Sequence, residues 1–575
     1  MTVALFLRIR LPATKNRRAN SCNNGCISYN LQRGSEMRPF LSLHHPAQAK
    51  AHYARGLWAE DTLYSLLVRH AAGRSVAVAL QDGRRSLTWK ELLGWVDGVA
   101  ADLRAYGLAG GDRASIWMSN RVEAVVMFLA CAREGIACNP SLHKTYTCAE
   151  IGDLLSLLSA RALLTEPNWG ADRATADFDA ILVRVPNLKV VYSPEEFPKP
   201  SVNGVPPCKD PDKIVYLAFT SGTTGTPKCV MHSDNTLLAN ARDLVRDWGH
   251  GPDTTFLSLS PLSHHIAWVG IAQWLLTGGR FVTDDPPVGM SRVDWIRKTE
   301  ATYVLGVPTH AMDILAEQKR LGVPDLNKVS VFYMAGAPIP ASVARAFVDQ
   351  GIRPQNVYGM TENSSHQYTH PIDPTDVIVN SCGRGGRAYE VRLFDPNDSE
   401  REVKPGEVGH IAGRGAALML GYFGNQAATE ASFNSGGWFL SGDLGIQDEQ
   451  GNLRIEGRLK DLIIRGGHNI YPSHIEEIAV RHKAVIRAAA FPVADDRLGE
   501  RVCLAISGDA DPDDLLRHLS REGLSKYDMP EYFLRLSEFP LTASGKILKR
   551  ELLQQVRRGE LSPLSISFRS SEKIP

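Results

Sequence analysis

A chain of 575 residues exceeds what one hydrophobic core ordinarily holds, so two or more domains are expected. Its 64 Lys and Arg against 63 Asp and Glu remove any global argument for nucleic acid or an anionic membrane surface as partner. Hydrophobic content of 43% suits a globular protein, and no apolar run approaches the ~20 residues of a spanning helix. The 9 cysteines are scattered, odd in number and without a Cys-x2-Cys pair, which points to reduced thiols in a cytoplasmic compartment rather than to disulfides or zinc.

Residues 1–45 differ from the rest. Arg8, Arg10, Lys15, Arg17, Arg18 and Arg33 precede the first acidic residue, Glu36. That is the composition of a transit peptide, or of an over-extended start with Met37 as the true one; the second reading is preferred, and neither gives the segment a fold. From about residue 50 strands and helices alternate. Leu92, Val96, Val99 and Leu103 share a helical face with Gly107 as a stop, residues 113–118 read as a strand, and residues 122–133 as an apolar helix. Ser233 or Asp234 caps a helix whose Leu237, Ala241, Leu244, Val245 and Trp248 lie on one side. Short apolar runs at 303–307 and 329–334 end in Gly/Pro punctuation. Such alternation predicts parallel α/β layers. Beyond 380, short alternating segments at 389–394 and 407–412 between Gly, Pro and Asp turns predict a small β-rich subdomain. The charged stretch 458–461 is a boundary, and the tail after Glu560 is polar and expected to fray.

One stretch organises the rest: Tyr216-Leu-Ala-Phe-Thr-Ser-Gly-Thr-Thr-Gly-Thr-Pro-Lys-Cys-Val-Met231. A buried strand opens into a loop containing Thr220, Ser221, Gly222, Thr223, Thr224, Gly225 and Lys228. Glycine admits close backbone approach, hydroxyls and amides donate hydrogen bonds, and lysine adds charge, a combination suited to polyphosphate. It is not a Walker A loop, because Pro227 precedes Lys228 and Cys229 follows it. The stretch resembles the signature loop of the AMP-forming adenylating enzymes: acyl-CoA synthetases, peptide-synthetase adenylation domains and beetle luciferases.

Further motifs extend the resemblance over roughly residues 50–555, closest to a carboxylate–CoA ligase. Pro261-Leu-Ser-His264 is similar to the family's Pro-Leu-Phe-His segment, with Ser263 replacing the aromatic, and implies His264 near the acyl carboxylate. Gly336, Ala337 and Pro338 resemble the adenine-binding turn. In Asn356-Val-Tyr-Gly-Met-Thr-Glu362 the resemblance implies Tyr358 against adenine, Thr361 near the phosphates and Glu362 on Mg2+, a hard carboxylate for a hard ion. Gly437-Trp-Phe-Leu-Ser-Gly-Asp443 implies ribose binding by Asp443. Arg458, Lys460, Gly466 and Gly467 resemble the hinge motif: a ribose or phosphate contact, the pivot, and a loop passed by the pantetheine arm. Pro540-Leu-Thr-Ala-Ser-Gly-Lys546 resembles the segment carrying the catalytic lysine. His474, where the family usually has glutamate, and Cys229, where it usually has glycine, are departures.

The resemblance implies an α/β fold: a large N-terminal adenylation domain over 46–459 with two αβα subdomains and a small β-barrel-like subdomain, and a mobile α+β domain over 460–555; composition adds a disordered tail over 556–575. It implies that a small-molecule carboxylic acid attacks MgATP to give acyl-AMP and pyrophosphate, and that the thiol of CoA then displaces AMP. A homodimer is compatible with it. Between Pro261 and Asp284 there is no acidic residue to receive an α-ammonium, and Ile266, Ala267, Trp268, Ala335, Gly336 and Met360 favour an apolar acid, whether fatty, alicyclic or aromatic. Transfer to an acyl carrier protein, a luciferase-like oxidation and a catalytically dead nucleotide sensor are the alternatives.

Overall fold

The computed structural model describes residues 46–220, 227–541 and 547–568. They fall into two compact units: one runs to Glu390 and adds Arg414–Ala431, the other comprises Val391–Gly413 and the chain from Ser432 onward. The division by packing therefore falls earlier than the charged stretch 458–461, within the β-rich segment.

The first unit contains two sheets. One is ordered Val190–Tyr192, Ala162–Thr165, Arg113–Trp117, Ala137–Asn139, Ile214–Thr220, Lys228–Ser233; it is parallel except for the final pair, which returns antiparallel. The other has six parallel strands, Arg353–Met360, Val331–Ala335, Tyr303–Gly306, Thr255–Ser258, Arg280–Thr283 and Val78–Gln81, flanked by the antiparallel edges Ser364–Tyr368 and Ser86–Thr88. The central strands are buried on both faces and rich in apolar residues, with Arg113, Ser115, Thr255 and Gln355 among the buried polar exceptions. Ala114, Ile116 and Tyr216 of the first sheet share one core with Phe256, Tyr303 and Tyr333 of the second. The helices Trp89–Ala105, Val122–Glu134, Asp234–Trp248 and His265–Thr277 contribute to that core, whereas separate clusters cover the outer faces of each sheet.

Local signals hold up well. Thr88 caps the first of these helices in a capping box with Glu91, and Ser233, not Asp234, caps Asp234–Trp248, which ends on left-handed Gly249. The helix Val122–Glu134 is buried along almost its whole length. Its Arg133 is accommodated by Asp97, Glu134 and the Val205 carbonyl.

In the second unit, strands Asp398–Glu402, Tyr389–Asp395, Gly409–Gly415, Phe439–Gln447 and Leu453–Arg458 succeed one another in a linear sheet. This is the small β-rich subdomain expected from the sequence; its strand order has two ends and no closing pair among the described residues. A six-stranded sheet built on the hairpin Val485–Asp495/Gly499–Gly508 follows, with helices Pro472–Ala479, Pro512–Arg521 and Lys549–Arg557. The expectation of a frayed tail fails up to residue 568. Leu564–Ser565 pairs with Tyr532–Arg535, and Ile566 and Phe568 pack on the unit's core, apolar anchors that the polar average of the tail conceals. No helix among the described residues is long and apolar enough to cross a membrane.

Candidate active site

Parallel strands bring their carboxyl ends to one edge, where ligands of α/β sheets bind. Three expected site segments leave such ends in the first unit. Ile214–Thr220 leads into the hydroxyl-rich loop, of which Ser221, Gly222, Thr223, Thr224 and Gly225 lie outside the described residues. Thr220 and Lys228, on either side of it, are in register, and the Thr220 hydroxyl donates to the Lys228 carbonyl at 3.4 Å. Gly336, Ala337 and Pro338 follow Val331–Ala335 and are exposed, with Gly336 in the left-handed region at φ +89°. Tyr358 lies near the end of the adjacent strand, since Ala335 pairs with Val357; its ring meets His366 edge-on at 5.4 Å.

The turn beyond Tyr358 is tight. A Cβ on Gly359 would lie 1.7 Å from the Ser364 carbonyl oxygen, so only glycine fits. The Asn363 side chain accepts from Met360 N at 3.0 Å, and Ser364 adopts a left-handed φ of +56°. Met360, Thr361 and Glu362 are left half-buried.

Long-range polar contacts fix this turn to the strand after the loop. Buried His232, on that strand, lies 2.6 Å by Nε2 from the Thr361 carbonyl and 3.0 Å by Nδ1 from Thr236 Oγ1. Burial lowers its pKa to about 4, so the neutral ring donates from Nε2 to the carbonyl near pH 7. His265 bridges Tyr216 and Ser364 at 3.2 and 3.0 Å and stacks on His232. Its pKa is also driven well down, by burial first and by His232 second. The segment 419–423 runs alongside the same strand: Leu420 N and Phe423 N donate to the Met231 and Cys229 carbonyls, and Met231 N to Gly421. Met419 N donates to the Glu362 carbonyl at 2.7 Å. Tyr422 is thereby placed with its hydroxyl 3.1 Å from Glu362 Oε1 and its ring face 4.6 Å from Lys228 Nζ. Cys229 is buried in the outer apolar cluster, which accounts for a small hydrophobe at that position.

His264 forms the N-cap position of His265–Thr277 and meets the His143 ring in a tilted contact, centroids 4.5 Å apart; Ser263 Oγ lies 3.0 Å from His143 Nδ1. Burial lowers the His143 pKa to about 4. The serine replacing an aromatic thus anchors a second imidazole. Ala267 and Trp268 are sealed in the core, so of the apolar residues expected to line a pocket, Ile266, Gly336 and Met360 retain exposed surface.

The second unit gathers its own set. Asp443 and Arg458 are register partners on adjacent strands, with Arg458 Nε 3.2 Å from Asp443 Oδ1. The Ser441 hydroxyl donates to the Ile411 carbonyl and accepts from Asp443 N, while His410 Nε2 accepts from Gly442 N. Burial lowers the His410 pKa, opposed by Asp443. Lys460 lies exposed on the single turn Leu459–Asp461. Gly466 and Gly467, at φ +58° and +86°, form the two-residue turn of the hairpin Ile463–Arg465/His468–Ile470, a geometry that glycine pairs favour. Glu476, which burial pushes toward the protonated form, is held by Lys549 at 2.7 Å and by Ala490 N at 2.6 Å. Lys546 lies outside the described residues; Leu541 and Ile547 on either side bridge antiparallel.

Sequence reasoning did not find Tyr422, His232, His265 or His143. Only His265 had a signal, its adjacency to His264. For Mg2+ the donor chemistry fits: half-buried Glu362 offers a hard carboxylate oxygen. Mg2+ commonly takes one or two carboxylates and fills its shell with phosphate and water.

Known proteins resemble this chain along most of its length. The AMP-binding enzyme family profile matches residues 67–423, and the AMP-binding enzyme C-terminal domain profile matches residues 474–546. The medium-chain fatty-acid–CoA ligase of Escherichia coli K12 is 28% identical, covering 92% of this chain and 96% of that protein. Feruloyl-CoA synthase of an Amycolatopsis species is 32% identical over 84% of this chain and 97% of its own length. The crystal structure of ATP-bound MatB from Rhodopseudomonas palustris superposes with a TM-score of 0.77 at 25% identity, covering 86% of this chain and 99% of that one.

Proposed function

The chain belongs to the AMP-binding enzyme family and carries that family's C-terminal domain, and from this premise we infer how its residues divide the work of an ATP-dependent carboxylate–CoA ligase. In the first half-reaction a carboxylate oxygen attacks the α-phosphorus of ATP, the bond to the β,γ-phosphates breaks, and acyl-AMP and pyrophosphate form. In the second, the CoA sulfur attacks the acyl carbon, loses its proton, and AMP leaves with the electron pair.

One observation supports this reading most: the Lys228 strand and the Thr361–Glu362 turn are tied together through His232, Met419 and Tyr422. A cation and a carboxylate on two different sheets thus serve one phosphate site. The loop from Thr220 to Lys228 binds the polyphosphate, Gly336–Pro338 and Tyr358 take the adenine, and Thr361 approaches the phosphates. Glu362 holds Mg2+, which when bound neutralises phosphate charge. In the second unit Asp443 receives the ribose hydroxyls and Arg458, at present its partner, contacts ribose or phosphate. Lys460 is the pivot about which a domain of residues 460–555 turns, presenting Lys546 to the first half-reaction and the Gly466–Gly467 turn to the pantetheine arm in the second. His264 and its ring neighbour His143 border the acyl site, and the acid is apolar: fatty, alicyclic or aromatic. The carboxylate is brought to phosphorus without any covalent enzyme intermediate, so catalysis is positioning and charge stabilisation. A cytoplasmic location and a homodimeric assembly belong to the same proposal, open to cell fractionation and light scattering.

A panel of carboxylic acids assayed for pyrophosphate release, with and without CoA, tests it. Apolar acids should release pyrophosphate and give acyl-CoA. Release with amino acids but not with apolar acids would overturn the substrate class, and transfer to a carrier protein but not to CoA would overturn the acceptor.

A further inference from the structure

We propose that Tyr422 is the positioning residue for magnesium–nucleotide binding: its hydroxyl orients the Glu362 carboxylate while its ring face seats the Lys228 ammonium. The inference rests on the reading of Lys228 and Glu362 given above.

The ring is set by backbone rather than by either charge. Tyr422 bridges Val230 antiparallel, its own N–H donates to Thr429 Oγ1 at 2.9 Å, and Gly421 and Phe423 on each side pair with Met231 and Cys229. At 5% exposure it has little freedom to turn. Its two neighbours differ in this respect, because Lys228 and Glu362 are only half-buried and carry long side chains with several rotamers. Ordering such side chains on ligand binding costs up to about 2 kcal/mol each. A fixed hydroxyl donor selects a carboxylate orientation in advance, and a fixed aromatic face attracts the ammonium. One side chain, 60 residues from Glu362 in sequence, therefore prearranges the metal-binding anion and the phosphate-binding cation together.

The two functions separate by substitution. Tyr422→Phe keeps the ring and removes the hydroxyl; Tyr422→Leu removes both. ATP binding to the full-length protein is measured by calorimetry across a magnesium titration and again in EDTA, with thermal unfolding of each variant alongside. In the wild type, affinity should rise with Mg2+. In Tyr422→Phe the magnesium-dependent part should weaken on the order of tenfold, the size of one lost hydrogen bond to a charged group, with affinity in EDTA unchanged and melting temperature lowered by a few degrees at most, since the bond exists before ligand binds. Tyr422→Leu should weaken binding in EDTA as well. A Tyr422→Phe protein with wild-type magnesium dependence, or one weakened equally with and without Mg2+, overturns the proposal. A wild type whose ATP affinity ignores Mg2+ overturns the reading of Glu362 itself, and the inference with it.

Discussion

Replacing Gly359 by alanine puts a Cβ 1.7 Å from the Ser364 carbonyl oxygen, 2.8 Å from the Ser364 carbonyl carbon and 3.0 Å from Ser365 Cα. All three are backbone atoms of the return strand, so no side chain can swing aside. Roughly 1.8 Å of separation must open before the contact becomes an ordinary one of about 3.5 Å. The strands diverge at the turn that carries Thr361 and Glu362, and overpacking of this kind costs about 1–3 kcal/mol. A displacement of about 1 Å at reacting groups costs on the order of 100-fold in rate. Gly359→Ala should therefore lower acid-dependent ATP–pyrophosphate exchange by about that factor, with a drop of a few degrees in melting temperature. Exchange and thermal unfolding measured on one preparation check both. A variant with wild-type exchange would refute the claim that this turn sets the position of Glu362.

Other expectations follow from the same geometry. Glu362→Gln should reduce pyrophosphate release by about 100-fold or more and shift its magnesium optimum upward, read from initial rates across a magnesium series. Asp443→Asn should raise KM for ATP about tenfold, since a charged hydrogen-bond acceptor is lost, and should weaken use of supplied acyl-AMP similarly, because it carries the same ribose. Lys546→Ala should abolish adenylation yet largely spare that second half-reaction; equal loss in both would contradict the division of labour. Finally, His232 binds its proton at about pH 4 when folded, against an ordinary value near 6.5. The unfolded chain therefore takes up the proton first on acidification, and stability present above pH 6.5 is lost as pH falls toward 4, by about 3 kcal/mol from this group. Denaturant unfolding at pH 7.5 and 5 should show the loss, and His232→Gln should reduce its size.

Much of the local structure can be read directly from the chain. The Ser233 cap and the apolar strands depend on neighbours a few residues away; the left-handed Gly249 stop and the Gly466–Gly467 hairpin turn are equally local, though the sequence reading did not mark them as such. Errors arose where an average over a segment hid a contact. The polar tail contains Ile566 and Phe568, which reach the core of the second unit, and Trp268, proposed for a pocket, is committed to packing on Phe128 at 4.2 Å.

Sequence alone was sufficient for the family, the order of its motifs and the alternation of strand and helix, because a motif is a short run whose chemistry and spacing are covalently fixed. Tertiary structure alone decided which distant groups meet. His232 and Thr361 are 129 residues apart, and Tyr422 was an unmarked tyrosine until an edge strand placed it between Lys228 and Glu362. Such partners have no shared period or spacing in the chain. They are selected because a buried polar group must find a hydrogen bond where the sheets converge, and only the folded backbone determines what lies within reach.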